Sequence, residues 1–330
     1  MSETILQVNN LTTSFKTDRG IMKAVDGVSL HVQKGEILGL VGESGCGKSV
    51  TSQSIMRLYD EKYLVKYEGE IFFDGMDLLK LPERKMQAVR GKDIAMVFQD
   101  SLSSLNPVFT VGNQIMEALK IHQGLKQADA RERSIEMLRL VGIPSPEKRV
   151  DQYPHELSGG MRQRVMIACA LCCQPKLLIA DEPTTALDVT IQAQIMELIV
   201  DLNRKLNMGV ILITHDLSVV AETCSRVAVM YLGQIVEEAG VDDLFDHPMH
   251  PYTLGLLNSI PKMEGERAER LYVIEGMVPL LSQIPQGCRF RPRCPYASER
   301  CLQEMPSLQK VTETQFVRCW NIEQIHETRR

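Results

Sequence analysis

Long apolar runs are missing from this chain. Nowhere do 18 or more apolar residues follow one another, so an ordinary membrane-spanning helix is not expected. Basic blocks are missing too: the net charge is −5 and no Lys/Arg cluster precedes the terminal Arg329-Arg330. That lacks the electrostatic footprint of a nucleic-acid binder, and no nucleic-acid partner is expected. The opening stretch Met1-Ser2-Glu3-Thr4-Ile5 has neither the basic nor the apolar region of a secretory signal, which points to the cytosol. In that compartment nine cysteines read as thiols or metal ligands rather than disulfides. No sustained heptad pattern is present, so no long coiled coil is expected. What remains is ordinary globular composition, 44% apolar and 24% charged over 330 residues, enough for one large domain and a smaller one.

Within this composition the stretch Gly42-Glu43-Ser44-Gly45-Cys46-Gly47-Lys48-Ser49 matches G-x-x-x-x-G-K-[ST]. In that loop backbone N–H groups cradle nucleotide phosphates, Lys reaches the outer phosphates and the hydroxyl holds Mg²⁺. Its surroundings fit. Ile37 to Val41 reads as a buried strand, and Ser49 to Leu58, with apolar Val50, Ile55, Met56 and Leu58, can follow as a helix. The loop then lies at a helix N-terminus, where N–H groups and dipole both favour an anion.

Ahead of the loop, Ile5 to Val8 and Val28 to Val32 are strand-like and are separated by turn-rich segments such as Thr17-Asp18-Arg19-Gly20, which predicts an antiparallel flap. Phe15 lies in that flap and either stacks on an adenine ring or packs in the core. Glu70 to Asp74 reads as a strand ending at the turn Asp74-Gly75. Ile94 to Phe98 is a buried strand ending at Gln99, a position usually filled by a solvated cap. From 111 to 142 the pattern is mostly helical, with Ile115, Leu119, Ile135 and Leu138 at helix spacing and Gly142 and Pro144 as a stop.

Leu157-Ser158-Gly159-Gly160-Met161-Arg162-Gln163-Arg164 precedes an apolar helix over 165–173. Ser158 reads first as an N-cap and second as part of a further phosphate-binding helix start. Cys169, Cys172 and Cys173 read as small core residues. Leu177 to Glu182 is a buried strand ending in two acids. Beside a phosphate loop, the first acid supports Mg²⁺ and the second orients the attacking water. Another buried strand, Val210 to Thr214, ends at His215-Asp216, on the sheet edge where open α/β sheets bind ligands.

Taken in order, Gly42 to Ser49, Gln99, Leu157 to Gln163, Leu177 to Glu182, Leu187-Asp188 and His215 resemble the motifs of the ATP-binding-cassette ATPases over about residues 5–245. The resemblance implies an α/β phosphate-loop NTPase core of RecA-like type with an antiparallel β flap, a helical insertion at about 100–165, and a head-to-tail dimer that sandwiches ATP. It also implies roles. Lys48 and the backbone from Gly45 through Cys46 and Gly47 to Ser49 grip phosphates, with Gly42, Ser44 and Val50 completing the nucleotide contacts. Ser49 ligates Mg²⁺, Asp181 supports it, and Gln99 senses metal and water while linking to the membrane subunits. Glu182 is the general base, His215 contacts the γ-phosphate, Ser158, Gly159 and Gly160 serve the partner's ATP, and Asp188 lies where the chain crosses the dimer interface. Met161 departs from the Gln common in relatives.

The tail narrows the resemblance. His247 to Thr253 and Cys288-Arg289-Phe290-Arg291-Pro292-Arg293-Cys294-Pro295, together with Asp181 to Thr190, are similar to bacterial dipeptide and oligopeptide importer ATPases. The domains expected are 1–245, the nucleotide-binding domain, and 246–330, a small C-terminal extension. Cys288, Cys294, Cys301 and Cys319 are spaced more widely than the Cys-x₂₋₄-Cys of most zinc sites, and four thiolates suit Zn²⁺ or an iron–sulfur cluster. Four unrelated cysteines are the plain alternative. Arg289, Arg291 and Arg293 are expected to offset the charge of a thiolate-bound cluster. The resemblance implies [4Fe-4S], with zinc second. Its implied partners are a second cassette subunit, a paralogue by family habit, two transmembrane permease subunits on the cytoplasmic side of the inner membrane, and indirectly an external binding protein. Nickel, metal-chelate or glutathione import is the nearest competing role, and a non-transport ATPase the next.

Overall fold

The computed structural model describes residues 3–18, 20–99, 104–185, 187–260 and 272–328, with side chains through Ile325. Residues 100–103 at the expected start of the helical insertion, Ala186 of the Asp181 to Thr190 motif, and Arg329-Arg330 lie outside the described residues. The chain forms two compact units, each discontinuous in sequence: residues 1–5, 32–37 and 80–213 in the first, and 6–31, 38–79 and 214–330 in the second.

In the first unit, strands β6 (Ile94–Val97), β7 (Leu177–Asp181) and β8 (Gly209–Thr214) lie side by side and parallel. β7 and β8 are buried at every residue, as their unbroken apolar sequences require when both faces are covered. Helices α3 (Val111–Gln123), α4 (Gln127–Leu140), α6 (Gly159–Leu171) and α7 (Val189–Leu206) pack here. The helical stretch predicted over 111–142 is two helices, because Gly124 adopts φ 66° and caps the first through its N–H to Lys120 O. Strand β7 ends one residue earlier than predicted. Glu182 has φ 46°, a left-handed conformation that leaves the strand.

In the second unit, β1 (Thr4–Thr17), β2 (Gly20–Gln33), β4 (Val65–Phe73) and β5 (Met76–Asp77) form the expected flap, a four-stranded sheet ordered β2-β1-β4-β5. β4 begins earlier than its apolar pattern suggested, since Val65 to Glu70 pairs with the far half of β1. The predicted turn is real: Asp74 (φ 50°) and Gly75 (φ 77°) close the β4–β5 hairpin. Strand β3 (Ile37–Val41) pairs parallel with β9 (Arg226–Tyr231), which turns at Leu232-Gly233 into antiparallel β10 (Gln234–Gly240). The chain's tail extends this sheet, β12 (Phe316–Val317) pairing with β10 and β11 (Gln309–Lys310) with β12. Helices α1 (Lys48–Ile55), α8 (Leu217–Thr223) and α10 (Pro251–Asn258) belong to this unit. Among the described residues no helix is long and apolar enough to cross a membrane.

Candidate functional site

In the second unit the phosphate loop runs from the end of β3 into α1, as its sequence predicted. Two glycines are required by contact. A Cβ on Gly42 (φ 149°) would lie 2.2 Å from Met230 O, and one on Gly47 (φ 107°) would lie 2.7 Å from Ala24 O. Gly47 caps α1 in a left-handed conformation, so the first turn of the helix opens directly from the loop. The hairpin turn after β9 pins the loop's middle, with Gly233 N–H donating to Cys46 O at 2.7 Å. Cys46 is 1% exposed and its thiol pKa is raised, burial outweighing the nearby Lys48 charge, so its side chain is core. The Lys48 ammonium is buried and donates to Gly42 O at 2.7 Å and Glu43 O at 3.2 Å.

Ser44 and Gly45 are exposed at the loop tip and line a cavity of about 640 Å³ together with Thr17, Met22 and the tail segment Val278 to Ser282. Phe15 is half-buried in β1 with its ring edge-on to Tyr59 at 4.9 Å. His215 is exposed at the end of β8, followed by Asp216, whose carboxylate caps α8 through Ser218 N–H.

The first unit holds the other candidates. Gln99 Nε2 donates to Glu182 Oε2 at 2.7 Å, and the Thr185 hydroxyl donates to the same oxygen at 3.0 Å. Glu182 is anchored by its N–H to Ile213 O at 2.9 Å. Asp181 is 3% exposed at the last strand residue. Ser158 accepts from Met161 N–H as the N-cap of α6, the reading its sequence suggested first. Asp188 accepts from Ile191 N–H as the N-cap of α7. These two helix starts meet: a Cβ on Gly160 would lie 2.9 Å from Ile191 Cγ2. Ser158 and Asp188 both remain exposed.

The tail corrects one expectation. Arg289 and Arg293 do not serve as counter-charges reserved for thiolates. Arg289 pairs with Asp26 and donates to Leu232 O, while Arg293 grips both oxygens of Glu43, at 2.6 and 3.0 Å. Burial opposes the Arg293 charge, but its hydrogen bonds to the Glu43 carboxylate outweigh that and its pKa is raised. Glu43 N–H in turn donates to Tyr252 Oη at 2.7 Å. Nothing in the loop motif foreshadows these contacts, since position 43 is one of its open positions and its partners lie more than 200 residues away.

The nine cysteines are free thiols, and Cys172 and Cys173 are buried in the core as expected, Cys169 only partly. Among the described residues no group of three or more His, Cys, Asp or Glu side chains is gathered as a metal site. Burial raises Cys294 to about 12 and Cys319 to about 11, and Cys288 and Cys301 add to both shifts through their charge.

A strand-to-helix phosphate loop with a buried lysine in the one unit, and in the other a parallel sheet whose strand β7 ends at Asp181 with Glu182 directly after it, define a phosphate-loop nucleoside triphosphatase. The comparisons carry this to a family. The family described as "ABC transporter" matches residues 25–185, and "Oligopeptide/dipeptide transporter, C-terminal region" matches 236–301. The chain is 54% identical over 316 residues to the oligopeptide transport ATP-binding protein OppD of Bacillus subtilis, 96% of this chain and 88% of the relative. It is 49% identical over 315 residues to the dipeptide transport ATP-binding protein DppD of Escherichia coli, 96% of each. A solved dimeric, post-hydrolysis structure of the ATP-binding cassette MJ0796 bound to ADP and Pi is similar, with TM-score 0.64, 29% identity, and coverage of 72% of this chain and 98% of that one. This chain belongs to the ATP-binding-cassette transporter family, as an ATP-hydrolysing subunit that joins the family's ATPase domain to the oligopeptide/dipeptide C-terminal region.

Proposed function

We propose that this chain energises an importer of dipeptides or oligopeptides. The observation that carries the reading is the presence of both family regions, at 25–185 and 236–301, in one chain whose Lys48 and Glu182 are intact. The names of its relatives, peptide, oligopeptide and dipeptide ATP-binding proteins, support the cargo class. Lys48 and the loop backbone bind the phosphates of ATP; Ser49 and Asp181 hold Mg²⁺. Glu182, oriented by Gln99, prepares the attacking water, and His215 contacts the γ-phosphate. The adjacent starts of α6 and α7, with Ser158, Gly159, Gly160 and Asp188, face a second cassette subunit, a paralogue of this one. Two permease subunits hold the pair at the cytoplasmic face of the inner membrane. Co-purification of the assembled transporter, followed by ATP-dependent peptide uptake into proteoliposomes, tests the reading; uptake of a metal chelate or glutathione but no peptide overturns the cargo.

The extension is the site of a [4Fe-4S] cluster held by Cys288, Cys294, Cys301 and Cys319, with Zn²⁺ as the alternative. What supports this reading is the chemistry of the donors, since among the described residues the four thiols are not gathered into a metal-holding group: they are free and act on one another electrostatically, with Asn321 N at 3.4 Å from Cys319 Sγ and Asn321 Nδ2 at 3.7 Å from Cys301 Sγ. Burial raises the thiols of Cys288, Cys294 and Cys319, so binding must displace protons there. The cluster's chemistry there is to cross-link the tail.

A further inference from the structure

Glu43, at an open position of the loop motif, is held at three of its groups. Its N–H donates to Tyr252 Oη at 2.7 Å, its carbonyl accepts from Lys48 Nζ at 3.2 Å, and its carboxylate accepts from both Arg293 Nη atoms at 2.6 and 3.0 Å. Tyr252 and Arg293 both come from the C-terminal extension, and both are built in. Tyr252 is 0% exposed and packs on Tyr231 and Phe290 at 4.8 and 5.4 Å. The Arg293 side chain is 3% exposed, its Nε donates to Glu275 O at 3.2 Å, and it sits on the short turn Arg291–Arg293 between Cys288 and Cys294. The segment just before that turn reaches the loop's other flank. Arg289 donates to Leu232 O, in the hairpin whose next residue, Gly233, donates to Cys46 O.

Lys48 rests on the carbonyls of Gly42 and Glu43, and a phosphate must draw it off them. Where residue 43 is held therefore decides both the resting partner of Lys48 and the direction of the loop's first N–H groups.

We infer that Arg293 and Tyr252 are positioning residues of the nucleotide site: acting through Glu43, they hold the phosphate loop in its anion-accepting shape, so the cysteine-bearing extension sets the affinity for ATP. This rests on reading Gly42 to Ser49 as the ATP site. A buried guanidinium that loses its carboxylate is poorly compensated, so the tie resists opening from either end.

The test uses the full chain in its transporter complex, comparing Glu43→Gln, Arg293→Gln, Arg293→Lys and the Glu43→Gln/Arg293→Gln double variant. KM for ATP, kcat, bound metal and melting temperature are read for each. Either single Gln variant is expected to raise KM about tenfold, through loss of the two-bonded Glu43–Arg293 ion pair, with kcat within about twofold of wild type. The double variant is expected to match the singles, and Arg293→Lys to recover part of the loss. Singles whose KM stays within about twofold of wild type while only the melting temperature drops would mean a merely structural tie, and overturn the inference. So would a double variant whose rise is the product of the two singles. If Arg293→Gln does not fold or loses its metal, Glu43→Gln decides by the same KM criterion. Lys48→Ala keeps the two readings apart: ATP binding by that variant removes the loop as the ATP site, whatever Arg293 does.

Discussion

Gln99 donates from Nε2 to Glu182 Oε2 at 2.7 Å, joining the end of β6 to the residue after β7 across 83 positions of sequence. The Thr185 hydroxyl holds the same oxygen, so one carboxylate oxygen is oriented twice. A carboxylate fixed in this way is placed to accept a proton, and its removal identifies its part.

Glu182→Gln is expected to bind ATP with wild-type affinity and to hydrolyse it about 10²- to 10⁴-fold more slowly, the range for removing a general base. Single-turnover hydrolysis alongside equilibrium nucleotide binding measures both. Turnover within about tenfold of wild type would sink the assignment.

Gly47→Ala introduces a side chain at φ 107°, with its Cβ 2.7 Å from Ala24 O and 2.8 Å from Met230 Cε. Backbone strain alone costs about 1 to 3 kcal/mol, and the contact with a fixed carbonyl adds to it. A lowered melting temperature together with lost nucleotide binding is expected. Gly45→Ala makes the control, since the space beside Gly45 is open within 4 Å, although its φ of 78° is also strained. Equal losses in both variants would remove the contact argument.

Two buried groups at the tail's attachment oppose each other in pH dependence. Burial lowers His250 from 6.5 to about 3, so its stabilising contribution is present above pH 6.5 and lost as pH falls toward 3. Burial raises Glu237 from 4.5 to about 7, against the bonds it accepts from Met249 N–H and His250 N–H, so its contribution is full below pH 4.5 and lost as pH rises to 7. Between 4.5 and 6.5 the two cancel. Glu237→Gln removes one side, and stability should then fall, relative to wild type, by on the order of 1.4 kcal/mol per pH unit on acidification through that window. Denaturant titrations at the two ends check this; parallel pH profiles for variant and wild type would contradict it.

Anaerobic purification should yield iron and acid-labile sulfide in equal amounts, about four of each per chain, and Cys294→Ser should lose them. Zinc without iron assigns the site to the alternative metal, and neither metal makes the four thiols a structural coincidence.

The phosphate loop was legible because its chemistry is local. Gly42, Gly47 and Lys48 are consecutive or nearly so, and the backbone shape they need is written in the residues themselves. The same holds for the buried strand ending at Thr214 and for the cap at Ser158, where a side chain satisfies an N–H three residues on. Strand ends were less legible. The run through Glu182 reads as continuous, and only the left-handed φ of Glu182 shows that the catalytic candidate leaves the sheet. The arginines of the tail were read for their nearest neighbours in sequence, the cysteines, whereas Arg289 and Arg293 belong to Asp26 and Glu43.

By itself the sequence determined that this protein has a phosphate loop, a pair of acids at a strand end and a helix-capping Ser-Gly-Gly, since each is a short-range pattern of backbone freedom and hydrogen-bonding capacity. Tertiary structure alone decided what holds that loop. An ion pair between positions 43 and 293 depends on how the β9–β10 hairpin and the tail pack, and no local propensity records a contact made across 250 residues.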